Sequence, residues 1–147
     1  MATATWEAEA AESTSRRPLR FGVSCDQGLW TNGFGELVRI RALDLRELTH
    51  KVAEVREDSP HAVVVVDIEV MIASDVRAAR AAMRELGHES VDTMAYVGTP
   101  TGLAGLIMDI YAMGIADGAV LLPVGNGAVL ELIRDSVVPE LEAVSAA

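Results

Sequence analysis

The sequence predicts an α/β fold of parallel strand–helix units, and three observations carry that expectation. The run AVVVVDIEVMIA at 62–73 is β-branched and mostly apolar on both faces, the pattern of a strand covered on both sides. A second apolar run, GAVLL at 118–122, repeats it on a smaller scale. Around both lie segments of helical period that open on capping residues and close on Gly. Strand and helix thus alternate from 62 to 135, and repeated units of this kind connect by right-handed crossovers. Periodicity alone leaves open whether the sheet is open or part of a barrel.

PLRFGVSC at 18–25 is a first short strand, rich in β-branched and aromatic residues. Residues 26–38, DQGLWTNGFGELV, carry three glycines and no clear period, and read as a loop with turns at Asn32–Gly33 and Gly35. VRIRAL at 38–43 alternates apolar and charged, as a short strand does. Asp44 and Glu47 have capping-box spacing, and Leu45, Leu48, Val52 and Val55 share one face of the helix that Ser59–Pro60 ends. After the long strand, Ser74 is the expected N-cap of a helix that stops at Gly87, with Val76, Ala79, Met83 and Leu86 as its apolar face. MAYV at 94–97 is extended. Thr99 then caps a helix with Pro100 in its first turn and Gly114 at its end. A Gly-rich loop at 123–127 leads into a last helix from 128, which Pro139 should break or kink.

Length and charge narrow the function classes. The 147 residues suit one domain, expected over 18–147 behind a mobile tail at 1–17, and suffice for a core without disulfide or metal staples. A net charge of −10 repels nucleic-acid phosphates and anionic lipid headgroups, so neither is an expected partner. The lone Cys25 excludes an internal disulfide and fits a reducing compartment, hence a cytoplasmic location. Residues 1–17 hold three glutamates and no apolar core, unlike a secretory or mitochondrial leader. Trp6 within them is read as a stray aromatic. The longest apolar runs fall far short of the ~18 residues of a membrane span.

The elements, in order, carry a resemblance. RPLRFGVSC at 17–25 resembles the first strand of the luciferase-like monooxygenases, the flavin- or deazaflavin-dependent TIM-barrel family. DLRELTHKVAEVRED at 44–58 resembles a late helix of that fold, and VVVVDIEVMIASDVRAARAAMREL at 63–86 its seventh strand and following helix. YVGTPTGLAGLIMDIYAMGIADGAVLLP at 96–123 resembles its glycine-threonine-proline turn, helix and last strand, and VVPELEAV at 137–144 its closing helix. The resemblance implies a partial TIM (β/α)8 barrel. It also implies an oxidoreductase of monooxygenase type with FMN or coenzyme F420 as cofactor and a small organic substrate.

Two departures qualify this. The family's last-strand pattern of Gly, acid, Gly, aromatic appears as Gly114-Ile-Ala-Asp117-Gly118-Ala119, with one extra residue and no aromatic. A full barrel typically needs ~250 residues, and here the first strand joins almost directly to the late ones. The middle strands, which in the family supply much of the flavin contact, are missing. A second copy or a homologous partner chain would have to complete the barrel. The alternative is a non-catalytic half-barrel that dimerises, or that completes or regulates a full-length homologue.

Candidate site residues follow from placement. Asp67 and Glu69 point to one face of their strand. They either line a solvated face of an incomplete sheet or pair with arginines, or else, inside a barrel, they orient a substrate or take a proton as catalytic residues. Ser24, Cys25 and Asp26 end the first strand, on the face where barrel enzymes keep their sites. Ser24 is assigned to cofactor binding, and Cys25, with no basic neighbour in sequence, is read as a buried small residue. Gly125, Asn126 and Gly127 follow the last strand and form either a phosphate-binding nest or a simple turn. Gly98-Thr99-Pro100 is read as a plain helix cap. His50, His61 and His88 have no metal-ligand spacing, so no metal site is expected.

Overall fold

A computed structural model describes residues 17–125 and 127–146. Its elements are β1 (Arg20–Cys25), β2 (Gly28–Thr31), β3 (Val38–Ile40), α1 (Leu45–Asp58), β4 (Val64–Ile72), α2 (Val76–Leu86), β5 (Met94–Gly98), α3 (Pro100–Ala112), β6 (Gly118–Pro123), α4 (Gly127–Leu132) and α5 (Val138–Ala146). A π-helical turn, Ile133–Val137, joins α4 to α5. The strands form one sheet in the order β2-β1-β6-β4-β3, with β5 also on β4. Every pairing is parallel except β1 with β2.

β4 is the hub. Val66 pairs with both Ile40 and Ala119, and Ile68 with both Met94 and Leu121. β6 therefore holds one edge of β4, while β3 and β5 follow one another along the other. The parallel path β3-β4-β6-β1 curls into a half-barrel, so the fold is a partial TIM barrel with helices on its convex side. Alternation along β4 divides its residues between two environments. Val64, Val66, Ile68, Val70 and Ile72 face the helices and are buried, together with Phe21, Leu121, Leu103, Ile107, Ile110, Ile133 and Leu141. Val65, Asp67, Glu69 and Met71 face the concave side.

The convex core explains the helices. Asp44 caps α1, its carboxylate accepting from Glu47 N at 2.8 Å, while Glu47 reaches back to Leu43 N. Thr99 caps α3 through Gly102 N at 3.1 Å, with Pro100 in the first turn. Gly87 ends α2 at φ 68°, the left-handed conformation that Gly adopts without steric cost.

Four expectations change. Residues 26–38 are not one loop. Leu29-Trp30-Thr31 pairs antiparallel with β1 through the two-residue turn Asp26–Gln27, and Gly28 at φ 115° resumes the strand. Four strand residues are too few to show a period. The N-cap of α2 is Asp75, not Ser74, its carboxylate accepting from Ala78 N at 2.7 Å. Of that helix's expected apolar face, Ala79 is fully buried, but Val76 and Leu86 at its ends stay largely exposed. Pro139 does not break the last helix. The wider π turn just before it relieves the clash a proline makes with the carbonyl four residues back. Of the expected tail, only Arg17 lies among the described residues. Its guanidinium donates to the Pro60 and Ala62 carbonyls and pairs with Asp117 at 3.3 Å.

Asp117 fastens the amino-terminal ends of the strands. Its carboxylate accepts from Val64 N at 2.9 Å and pairs with Arg56 of α1 at 3.2 Å as well as with Arg17. Its amide donates to Val64 O at 2.7 Å, and its carbonyl accepts from Arg20 N at 2.9 Å. Gly118 follows at φ 154°, where a Cβ would stand 1.5 Å from the Arg20 carbonyl oxygen.

Residues 32–37 carry the chain from β2, at one edge, to β3, at the other. Four strand spacings are about 19 Å across, close to the ~20 Å reach of six extended residues. The curl of the sheet shortens that path. The strap passes beside Arg20, which donates to Phe34 O at 2.9 Å and to Asn32 Oδ1 at 3.3 Å.

Two outcomes test this framework. Asp117→Ala should lower stability by about 2–4 kcal/mol, less than a fully buried pair because Arg17 and Arg56 keep partial access to water. A urea midpoint that falls at unchanged slope would show it. Gly118→Ala should abolish the native far-UV and near-UV circular dichroism, because the added carbon has no room beside backbone.

Candidate functional site

The register stacks the concave face in rows. Arg20, Gly118, Val65 and Arg39 form the lowest. Gly22, Val120 and Asp67 form the next, with Arg41 just past the end of β3. By continuation of the register, Ser24, Leu122 and Glu69 form the third, beside Ala95 of β5. Two strand spacings, about 9.6 Å, separate the backbones of Ser24 and Glu69.

The two expected catalytic carboxylates stand in different surroundings. Asp67 is almost wholly buried, and two arginines hold it: Arg39 at 2.9 Å from one oxygen and 3.3 Å from the other, and Arg41 at 3.4 Å. Arg41 reaches on to Asp92 at 3.7 Å. The Thr93 hydroxyl, with a smaller contribution from Arg41, holds the Asp92 carboxyl below its usual range. With both oxygens of Asp67 engaged by guanidinium groups, the arrangement fixes charge and orientation. Glu69 lies one row higher, accepts from the Ser90 hydroxyl and meets His88 Nε2 at 2.8 Å. His88 in turn lines a cleft of about 1100 Å³ with Met71, Ser74, Glu85 and Gly125, between α2 and α4 at the carboxyl ends of β4 and β6. A carboxylate–imidazole pair at such a position can hold and pass a proton.

The expected cofactor residues come partly together. Gly125 and Gly127 share a smaller hollow of about 230 Å³ with Cys25, Asp26 and Pro123. Gly125 has φ 90°. Asn126 lies outside the described residues. Ser24 is half-buried on the concave face next to this hollow rather than among its lining residues. Cys25 is a free, half-buried thiol instead of a buried small residue. The Thr99 hydroxyl is occupied by its cap, as read from the sequence. Among the described residues no three His, Cys, Asp or Glu side chains gather as metal ligands.

The sequence reading missed Arg39, Arg41, His88 and Ser90. A signal existed for the arginines: VRIRAL places two cations on one face of its strand, as DIE places two carboxylates on one face of the neighbouring strand. His88 had none, because it stands nineteen positions from Glu69, across α2 and the left-handed Gly87 turn.

No family model matches the chain, and no curated protein matches it. Solved structures do. The chain is similar to a riboflavin lyase (RcaE) determined with modified FMN and riboflavin, at TM-score 0.63 and 15% identity over 77% of this chain and 40% of that one. It is similar to an EDTA monooxygenase (EmoA) from Chelativorans sp. BNC1, at TM-score 0.61 and 17% identity over 76% and 42%. A long-chain alkane monooxygenase (LadA) matches at TM-score 0.58 and 16% identity over 74% and 36%. The chain thus spans about two fifths of the length of these structures, and the likeness is one of fold.

Asp67 and Glu69 should separate on mutation. Asp67→Ala strands two guanidinium groups and should cost about 2–4 kcal/mol. Glu69→Gln keeps most of its geometry near water and should cost under ~1 kcal/mol. Urea denaturation of both variants measures this, and equal losses would contradict the division of roles.

Proposed function

We propose that this chain forms the late-strand wall of a luciferase-like flavin oxidoreductase. In this reading it acts on a small organic substrate in an oligomer, and flavin is held only once a second copy or a homologous chain closes the barrel. The observation that carries this is the strand path β3-β4-β6-β1. It is the order in which the sixth, seventh, eighth and first strands of a (β/α)8 barrel stand side by side, and the resemblance assigns the first, seventh and last of these to the same segments. The fold likeness to two monooxygenases and a riboflavin lyase supports the same reading.

The residues present fit a flavin in part. The cleft beside His88 is large enough for a ring system. Among the described residues no Lys or Arg lines this cleft or the hollow at Gly125, while Glu85 lines the cleft and Asp26 the hollow. The phosphate of FMN, or the phosphate and acidic tail of F420, therefore finds no cation at the upper end of this wall. That is why we assign the phosphate grip to the completing chain. A bound flavin would supply the redox chemistry. This chain would supply the wall, the Glu69–His88 proton site and part of the exclusion of water. The cytoplasmic location we propose with it rests on the free thiol of Cys25. No helix of the described residues is long and apolar enough to cross a membrane.

One observation favours the non-catalytic alternative. Asp67, the most buried carboxylate of the concave face, is committed to Arg39 and Arg41. If the interior wall serves only to carry such pairs, the chain is a scaffold that dimerises or completes a full-length homologue.

Sedimentation with FMN or F420 separates these readings. The proposal expects stabilisation and a flavin spectral shift in the oligomer and none in the monomer. Tight binding by the monomer would remove the need for a partner, and absence of any shift at millimolar flavin in a confirmed oligomer would leave the scaffold reading.

A further inference from the structure

A second cavity lies outside the half-barrel, on the convex side of β1. It measures about 410 Å³, within the range of small-molecule sites. Val23 and Trp30 form its strand wall; they are register partners, and the Trp30 ring also leans on Phe21 at 6.0 Å. Leu130, Ile133 and Val138 form its helix wall. Their spacing of three and then five residues follows from the π turn. In an unbroken α-helix, position 137 would continue this face, but Val137 is fully buried in the core and Val138 takes its place. Single π turns inside helices recur at functional sites.

Among the described residues the only charged side chain on the lining is Arg134, from the same π turn, and no carboxylate lines the cavity. Arg134 is exposed and makes no ion pair among the described residues.

From these features we infer that the cavity is a binding site for a small amphipathic carboxylate. The apolar tail lies between Trp30 and the π turn, and the carboxylate meets the Arg134 guanidinium, whose planar donors match it. Burial of the tail supplies most of the affinity, and the cation selects acids over alcohols and amines. Val23 and Trp30 project away from the concave face, and at its upper end the cavity borders the hollow at Gly125, with which it shares Cys25, Gln27 and Leu130.

Octanoate, octanol and octylammonium serve as probes on the full chain carrying Trp6→Phe, so that Trp30 alone reports. Octanoate should shift Trp30 emission to the blue in a saturable way and bind at least ~10-fold more tightly than octanol, as a charge-assisted hydrogen bond allows. Octylammonium should bind most weakly. Arg134→Gln should remove the preference for octanoate over octanol without loss of folding, since Arg134 is exposed. Leu130→Trp, followed by calorimetry, should abolish binding of both by filling the cavity. Equal affinity for octanoate and octanol in the parent chain would overturn the carboxylate assignment. Absence of saturable binding, or binding retained in Leu130→Trp, would overturn the site.

Discussion

One carboxylate, that of Asp117, fixes the base on which the half-barrel stands. Three strands meet there: its backbone bonds to β1 and β4, while its side chain bonds to Val64 N and pairs with Arg56 and Arg17. A buried anion is costly unless cations and hydrogen bonds surround it, so its presence at one point specifies the alignment of several elements at once. β6 has to lie between β1 and β4, α1 has to return Arg56 to the same point, and Gly118 has to follow because no side chain fits against Arg20. The register set there propagates up the sheet and determines that Gly22, Val120 and Asp67 share a row. Among the described residues, no buried carboxylate joins three strands in this way at their upper ends. The clefts at Gly125 and His88 lie at those upper ends.

The division of labour along β4 was largely legible before any coordinates. Nine residues of mixed apolar and acidic type cannot be buried on both faces unless helices cover one and partners neutralise the other. Asp44, Gly87, Thr99 and Gly114 marked helix ends through backbone chemistry that acts within a few residues. Ser74 and Asp75 are both good caps in sequence, and Asp75 takes the position because its carboxylate meets Ala78 N. The hairpin at 28–31 was hidden, since its stabilising partner, the outer edge of β1, is a tertiary feature. The same holds for the concave site. The alternation of VRIRAL and DIE puts charges of opposite sign on single strand faces, but the pairing of residue 39 with 67, or 69 with 88, depends on which elements become neighbours. The π turn was equally silent, with Pro139 as its one trace.

The strap at 32–37 gives the molecule its particular character. It replaces by six residues the path that a complete barrel covers with several strand–helix units. It can do so because Arg20, buried beneath it, donates to both Asn32 and Phe34, and because Gly33 lets the backbone approach the guanidinium within about 3 Å of where a Cβ would stand. The bypass leaves the two outermost strands short, four residues in β2 and three in β3. Short edge strands offer few free amides and carbonyls, which limits open-ended pairing.

Closure by another chain therefore cannot draw on a large buried apolar face. The concave rows hold Arg39, Arg41, Asp67 and Glu69, already paired among themselves or with His88 and Ser90. Charges paired in this way need no second half to neutralise them, which explains how a half-barrel can be a folded unit. At the β2 rim a partner finds Leu29 and Trp30, each 46% exposed, and Phe34, 99% exposed. Three apolar side chains and a short strand edge suit a contact that forms at high concentration or with help from a shared ligand, since area of that size alone sits below the range of obligate interfaces. In the proposed assembly, a flavin whose phosphate is gripped by the second chain and whose ring lies against this one would be a ligand of that type. Assembly and cofactor binding would then be linked, each strengthening the other by the same factor.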